Sequence, residues 1–196
     1  MKLLLTSAGL TNKSIERVVR REVKAPIRTA FIPTAANVES GNKDWLIRNL
    51  EEFLKLGEVD IVDISALPKS TWLPRLKKAN VIAVGGGNTT HLMKWIAKSG
   101  LKSELPSLLK NKLYVGISAG SVITAHSIQA SSEFLYGDEV ANAPKGLGFI
   151  DFNIRPHFNS PHFPKANDKN LRKLAGKVQG DIYALDDNSA VSVNGK

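Results

Sequence analysis

Short, continuously apolar runs alternate along this chain with stretches whose apolar residues recur at helical spacing, and no other feature restricts the fold as strongly. KLLLT (2–6), TAFIP (29–33), VDIVDI (59–64), NVIAV (80–84) and LYVGI (113–117) read as strands. Between them, Ile15, Val18, Val19 and Val23 form one helical stripe, and Trp45, Leu46, Asn49, Leu50, Phe53 and Leu54 form another that ends at Gly57. LPKSTWLPRLKKA reads as a short helical connection, and helices are expected near 89–98, 102–110, from the second glycine turn to about Ala130, and near 168–178. Strand and helix in strict alternation call for parallel strands joined by helical crossovers. Strands that are apolar throughout, rather than at every second position, are those with helices over both faces. The expected fold is therefore α/β: a three-layer α/β/α sandwich around a mostly parallel sheet, with residues 1–196 as one domain. After Ala130 the pattern loosens through SSEFLYGDEVANAPKGLG (131–148), and the later strands are FNIRP (152–156), IYALD (182–186) and AVSV (190–193).

Open parallel sheets bind ligands beyond the carboxyl ends of their strands. Two glycine-rich turns fall at such ends. Gly116-Ile117-Ser118-Ala119-Gly120 follows an apolar strand and opens a helix, which is the context that gives the G-x-S-x-G pattern its meaning. In such an elbow the serine adopts a strained backbone, the glycines leave room for the neighbouring strand and helix, and the free N–H groups of the helix start face the serine. An ordinary strand-to-helix turn with a capping serine would use the same residues. Gly85-Gly86-Gly87-Asn88-Thr89 follows the preceding apolar strand. It matches neither G-x-G-x-x-G nor a P-loop, so nucleotide binding is poorly supported. Beside a serine elbow it reads as a source of backbone donors for an oxyanion. Gly86 and Gly87 are the expected donors together with Ala119; Asn88 or Thr89 caps the next helix, and both border the substrate.

A serine nucleophile needs a base. His91 and His126 sit on helical stretches and read as packed or surface histidines. His157 and His162 lie in RPHFNSPHFP, just after a strand, where a loop can reach the elbow. His157 is nearest the strand end and is preferred. The His-x4-His spacing offers no obvious third ligand, so no metal is expected. The orienting acid is either Glu133 or Asp187 (or its neighbour Asp186), each of which could equally be a solvated turn carboxylate.

GGGNT, GISAGS, a later PHF and a closing LDDNSAV, in that order, resemble the dipeptidase E / cyanophycinase family of serine peptidases, over nearly the whole chain. The resemblance implies a sandwich like that of class I glutamine amidotransferases, with serine in place of their elbow cysteine. It implies Ser118 as nucleophile, His157 as base, Glu133 or Asp187 as acid, no cofactor, and short acidic peptides as substrates. Arg155-Pro156 stands before His157 where the cyanophycinase branch has Asp-Gln, which argues against cyanophycin. The arginine of the aspartyl dipeptidase branch has no clear match, with Lys165, Lys169 and Arg172 nearby. The short C-terminal tail leaves open a shortened sheet edge or one covered by a second copy, as in a homodimer.

Composition narrows the alternatives. There is no cysteine, which excludes disulfides, thiolate metal sites and a cysteine nucleophile. No apolar run approaches the ~18 residues of a membrane span, and a cytoplasmic, membrane-free protein is expected. The formal net charge is +9. Residues 1–112 hold 19 basic and 10 acidic side chains, whereas residues 113–196 hold 8 of each. No nucleic-acid motif accompanies this excess, so it reads as solvated helix faces rather than an RNA or DNA surface. The expected function is hydrolysis of small peptides, dipeptides above all, through a Ser-His-acid triad and an acyl-enzyme. An α/β-hydrolase-type esterase and a non-catalytic binding member of the same fold are the rivals. The esterase order of Ser, Asp, His, with the histidine near the C-terminus, fits less well.

Overall fold

The computed structural model describes residues 1–128, 135 and 145–195. Its elements in chain order are β1 (Lys2–Thr6), α1 (Lys13–Glu22), β2 (Arg28–Ile32), a 3-10 turn (Thr34–Val38), α2 (Asp44–Leu54), β3 (Glu58–Ile61), α3 (Lys69–Lys78), β4 (Val81–Val84), α4 (Thr89–Lys98), α5 (Leu101–Leu108), β5 (Leu113–Ile117), α6 (Ala119–Val122), β6 (Asn153–Arg155), α7 (Asp168–Ala175), β7 (Ile182–Ala184) and β8 (Ala190–Asn194). The central sheet runs β3-β2-β4-β5-β1-β8. Its first five strands are parallel, and β8 alone is antiparallel, pairing with β1.

The apolar runs are explained by the two cores they separate. Successive residues of a strand point to opposite faces. Leu4, Phe31, Val81, Ala83, Leu113 and Val115 pack on one face against Ile15 and Val19 of α1 and Phe53 of α2. Leu3, Leu5, Ala30, Ile32, Ile82, Val84 and Tyr114 pack on the other against Trp72 and Leu76 of α3, Leu92, Met93 and Ile96 of α4, and Leu101 and Leu105 of α5. Helices on both sides of a mostly parallel sheet make the expected three-layer α/β/α sandwich. Phe31 of β2 meets Phe53 of α2 edge to face, with ring centroids 5.8 Å apart, a contact of about 0.5–1.5 kcal/mol beyond area burial.

Two local expectations change, and one pairing goes beyond them. The third strand covers residues 58–61 rather than 59–64. The helix after the elbow is only Ala119–Val122, not a helix to Ala130. The chain leaves it through a turn in which Leu147 N–H donates to Ile123 O at 2.8 Å and Gly146 packs on Ala125. A Cβ on Gly146 would lie 1.9 Å from the Ala125 carbonyl oxygen, so a bulkier residue could not close the chain here. Finally, β6 does not join the central sheet. It pairs in parallel with β7 in a separate two-stranded sheet. The residues between β7 and β8 carry the chain from the small sheet to the edge of the large one.

Candidate active site

β5 lies inside the sheet between β4 and β1, with Val84 opposite Gly116 and Thr6 opposite Ile117. The chain must therefore turn sharply between two neighbours as it leaves β5, and both glycines are required there. A Cβ on Gly120 would lie 2.0 Å from the Val84 carbonyl oxygen, and one on Gly116 would lie 2.7 Å from that of Gly120. Ser118 itself takes φ 48° and ψ −108°, a conformation L-residues rarely adopt. The turn is pinned by the Ser118 N–H to Thr6 O (3.1 Å), Ser121 Oγ to Thr6 O (2.8 Å), Thr6 Oγ1 to Gly116 O (2.9 Å) and the buried Tyr114 hydroxyl to Gly120 O (2.6 Å). Burial drives the Tyr114 phenol far above its ordinary range, so it remains a neutral donor.

The β4 turn lies against this elbow. An added Cβ on Gly86 would come within 3.2 Å of Ser118 Cβ, and Gly87 has φ +121° with the Ala35 backbone in contact. Both glycines and Ala119 line one cleft of about 590 Å³ with Ser118, a volume suited to a small ligand. Asn88 caps α4, its Oδ1 accepting from His91 N–H at 2.8 Å. Thr89 is buried and borders the cleft.

The base side comes from the other end of the chain. His157 Nε2 is 2.9 Å from Ser118 Oγ, and His157 Nδ1 is 2.6 Å from Asp187 Oδ1. His157 has φ 62°. Its N–H donates to Ser7 Oγ at 2.8 Å, and its ring stacks on Phe163 at 4.1 Å and 16°. The imidazole is 11% exposed and the Asp187 side chain 36%. Burial holds the His157 pKa below its usual value, partly opposed by the Asp187 hydrogen bond and charge; His162 adds to the lowering. Burial also pushes the Asp187 carboxyl upward. Ser160, His157 and Ser7 outweigh it and leave the group below the carboxylate range, the Ser160 hydroxyl acting as a nearby dipole that completes no well-formed hydrogen bond. The result is a neutral imidazole held between a hydroxyl and a carboxylate.

β8 explains why Asp187 reaches the His157 ring. Because β8 is antiparallel, its first residue, Ala190, lies opposite Thr6 at the carboxyl end of β1. Residues just before β8 are thereby delivered to the edge where β5 ends. Asp186 serves that turn instead, its Oδ1 accepting from Asn188 N–H (2.9 Å) and Ser189 Oγ (2.7 Å). Glu133 lies outside the described residues. His162 borders the cleft. His126 is exposed and pairs with Asp151 at 3.1 Å, and His91 packs edge to face on Trp95. Lys165, Lys169 and Arg172 do not line the cleft; Arg172 pairs with Asp168 at 2.8 Å. No group of three His, Cys, Asp or Glu side chains among the described residues could hold a metal ion.

The sequence matches the family described as Peptidase family S51 over residues 3–196. The chain belongs to peptidase family S51. It is 31% identical to an uncharacterized peptidase of Listeria monocytogenes over 170 residues, which span 85% of this chain and 82% of that one. It is 26% identical to a Peptidase E of a Nostoc species across 100% of this chain and 87% of the relative. Among solved structures, a crystal structure of a candidate Peptidase E protein from Listeria monocytogenes superposes with a TM-score of 0.82 at 27% identity, covering 100% of this chain and 95% of that one. A peptidase from an acI-B1 actinobacterium shares the fold, with a TM-score of 0.68 at 18% identity. The resemblance drawn from the four motifs therefore holds, and with it the assignment of this S51 member as a peptidase.

Two parts of the peptidase's cleft went unmarked in the sequence. Ser7 directly follows β1 in the apolar-strand-then-SAG pattern that marks a third strand end. Trp45, Arg48, Asn49 and Glu52 line the cleft from one stripe of α2. Their i, i+3, i+4, i+7 spacing is visible in the sequence, but Trp45 and Asn49 also fall on the apolar stripe that reads as a core face. Among the described residues no helix is long and apolar enough to cross a membrane.

Proposed function

We propose that this S51 member is a serine peptidase acting on short peptides, with Ser118 as nucleophile, His157 as general base and acid, and Asp187 as the orienting carboxylate. One observation carries the reading: the unbroken Asp187–His157–Ser118 hydrogen-bond chain, 2.6 and 2.9 Å, ending on a serine with φ 48°. His157 Nε2 accepts the Ser118 proton as Oγ attacks the scissile carbonyl, and Asp187 stabilises the imidazolium that forms. The oxyanion is met by the Ala119 N–H and by Gly86 or Gly87 across the cleft; removing one such donor costs ~100–1000-fold in other enzymes. His157 then protonates the leaving amine. Water, deprotonated by the same imidazole, attacks the acyl-Ser118 ester and releases the carboxylic acid, returning the proton to Ser118. A cleft of about 590 Å³ favours dipeptides and other short peptides over folded proteins. A cysteine-free chain with no membrane-spanning helix among its described residues fits a cytoplasmic site of action.

The experiment is a dipeptide screen with the purified protein, together with Ser118→Ala and a phosphonofluoridate label. The reading requires hydrolysis that Ser118→Ala abolishes and a label that lands on Ser118. Full activity in the variant, or a label on another serine, rejects it. A p-nitrophenyl acetate burst without any peptide cleavage favours the esterase rival, and no acylation at all favours a binding member.

A further inference from the structure

Ser160 carries a hydroxyl that the proposed chemistry does not use. The residue is 6% exposed, it lines the Ser118 cleft together with His157 and Asp187, and its Oγ makes no hydrogen bond among the described residues. A buried hydroxyl whose proton has no acceptor is costly, so each such group calls for a physical explanation. The main chain holds Ser160 in place. The loop after β6 is a chain of tight turns: Ser160 N–H donates to His157 O (3.0 Å), Phe163 N–H to Ser160 O (3.1 Å) and Ala166 N–H to Phe163 O (2.8 Å). Asn159 N–H closes the loop on Ala166 O at 2.7 Å, and His157 and Asn159 both take left-handed backbone, φ 62° and 56°. Phe163 then stacks back on the His157 ring. Ser160 is therefore the joint between the imidazole and the aromatic ring that supports it.

Asp187 has the matching deficit. Its Oδ1 takes both the His157 Nδ1 contact (2.6 Å) and the Ser7 hydroxyl (3.4 Å). Its Oδ2 accepts no hydrogen bond from the described residues. Burial acts most strongly on the Asp187 carboxyl and raises its pKa; of the groups that lower it, Ser160 is the strongest, ahead of His157 and Ser7. One cleft thus holds a carboxylate oxygen without a donor and, beside it, a buried donor without an acceptor.

We propose that Ser160 is a positioning residue whose hydroxyl donates to Asp187 Oδ2 as the imidazolium forms, holding the carboxylate in line with His157 Nδ1. Proton transfer from Ser118 puts a positive charge on His157, and the acid answers it only if it stays ionised and aligned. A carboxylate bonded through one oxygen can swing away; bonded through both, by donors from two sides, it keeps its orientation and its charge. Ser160 keeps its own proton throughout, so no covalent bond changes there.

The kinetic test rests on the serine-peptidase reading, and a spectroscopic test stands apart from it. The kinetic test compares the wild type with Ser160→Ala, Ser160→Thr, Asp187→Ala and the Ser160→Ala/Asp187→Ala double variant on a dipeptide that the wild type cleaves. Ser160→Ala should lower kcat about tenfold with little change in KM, the loss expected for one hydrogen bond to a charged group. Ser160→Thr, which keeps the hydroxyl, should retain most of the rate. In the Asp187→Ala background, Ser160→Ala should cost nothing more, because the hydroxyl acts only through that carboxylate. Equal losses in both backgrounds overturn the inference, as does an unchanged kcat in Ser160→Ala or a Thr variant no better than Ala. The spectroscopic test is proton NMR of the resting full-length protein at a pH acid enough to charge His157. The Nδ1 proton shared with Asp187 should give a downfield resonance that persists in Ser160→Thr and exchanges faster with water in Ser160→Ala. Identical exchange in Ser160→Ala and the wild type overturns the inference. If the wild type cleaves no dipeptide, the serine-peptidase reading fails and this resonance alone decides the role of Ser160.

Discussion

The two sides of the cleft are made in different ways. On the elbow side, Ser118, Gly86 and Gly87 sit on turns between buried parallel strands, and backbone atoms surround them so closely that an added Cβ would overlap a carbonyl at Gly87, Gly116 and Gly120. On the base side, His157 and Asp187 sit on loops outside the regular pairing. His157 is reached from β6 of the small sheet, and Asp187 lies in the passage from β7 to β8. Their positions depend on side-chain bonds to Ser7 and to each other, and Asp187 is a third exposed. The strained Ser118 is thus held by close packing, whereas His157 is held by polar contacts that titrate and can be removed one at a time. Substitutions of the elbow-side glycines should cost stability, and substitutions on the base side should cost rate.

The largest effect expected from this contrast is on the base side. Asp187→Asn leaves the ring contact but presents the wrong partner to Nδ1, which favours the unproductive tautomer; the equivalent change in a serine protease lowers kcat about 10⁴-fold. Steady-state kinetics on a cleaved dipeptide should show a loss of that order with the melting temperature nearly unchanged. A collapse in stability instead would mean that Asp187 is structural. Next comes Gly120→Ala, whose methyl would sit 2.0 Å from the Val84 carbonyl oxygen. Overpacking of this kind costs about 1–3 kcal/mol or more, and chemical denaturation should show it as a clear drop in midpoint. A variant as stable as the parent would break the account of the elbow.

Ser7→Ala removes the acceptor for the His157 N–H and should lower kcat/KM by about fivefold, since a single hydrogen bond contributes ~1 kcal/mol. The smallest effect is on pH. Burial lowers the His157 pKa, so the acid limb of kcat/KM should fall below the ~6.5 of a free imidazole. Asp187 opposes that lowering, so Asp187→Asn should move the limb further toward acid. The same group links pH to stability. Because the folded state binds this proton less readily than the unfolded chain, its contribution is present above pH ~6.5 and is lost as pH falls through the folded value. A limb above 6.5 would show that the ring is less buried during turnover than in this structure.

The layers of the sandwich were legible because each strand is buried on both faces and each helix on one, and these are patterns a sequence carries locally. The elbow and the triple-glycine turn were legible for the same reason, as was His157 from its place after a strand. The end of the helix after the elbow was not, because it depends on Gly146 packing against Ala125 from twenty-one positions away. The pairing of β6 with β7, rather than with the central sheet, is likewise a choice between partners that the residues of β6 do not record.

What the sequence determined by itself is the set of turns where chemistry is possible: glycines directly follow apolar strands, a pattern carried by adjacent residues even where, as at Gly87 and Gly120, the atoms that exclude a Cβ lie on distant segments. Which carboxylate meets the imidazole was decided by tertiary structure. Asp186 and Asp187 are adjacent and alike, and only the antiparallel entry of β8 beside β1 ties the first into its own turn and brings the second to His157 and Ser7. The same holds for Glu52, whose Oε2 is tied to the Leu10 N–H more than forty residues earlier. Contacts made across such separations depend on how the layers assemble, and no local pattern of residue types encodes them.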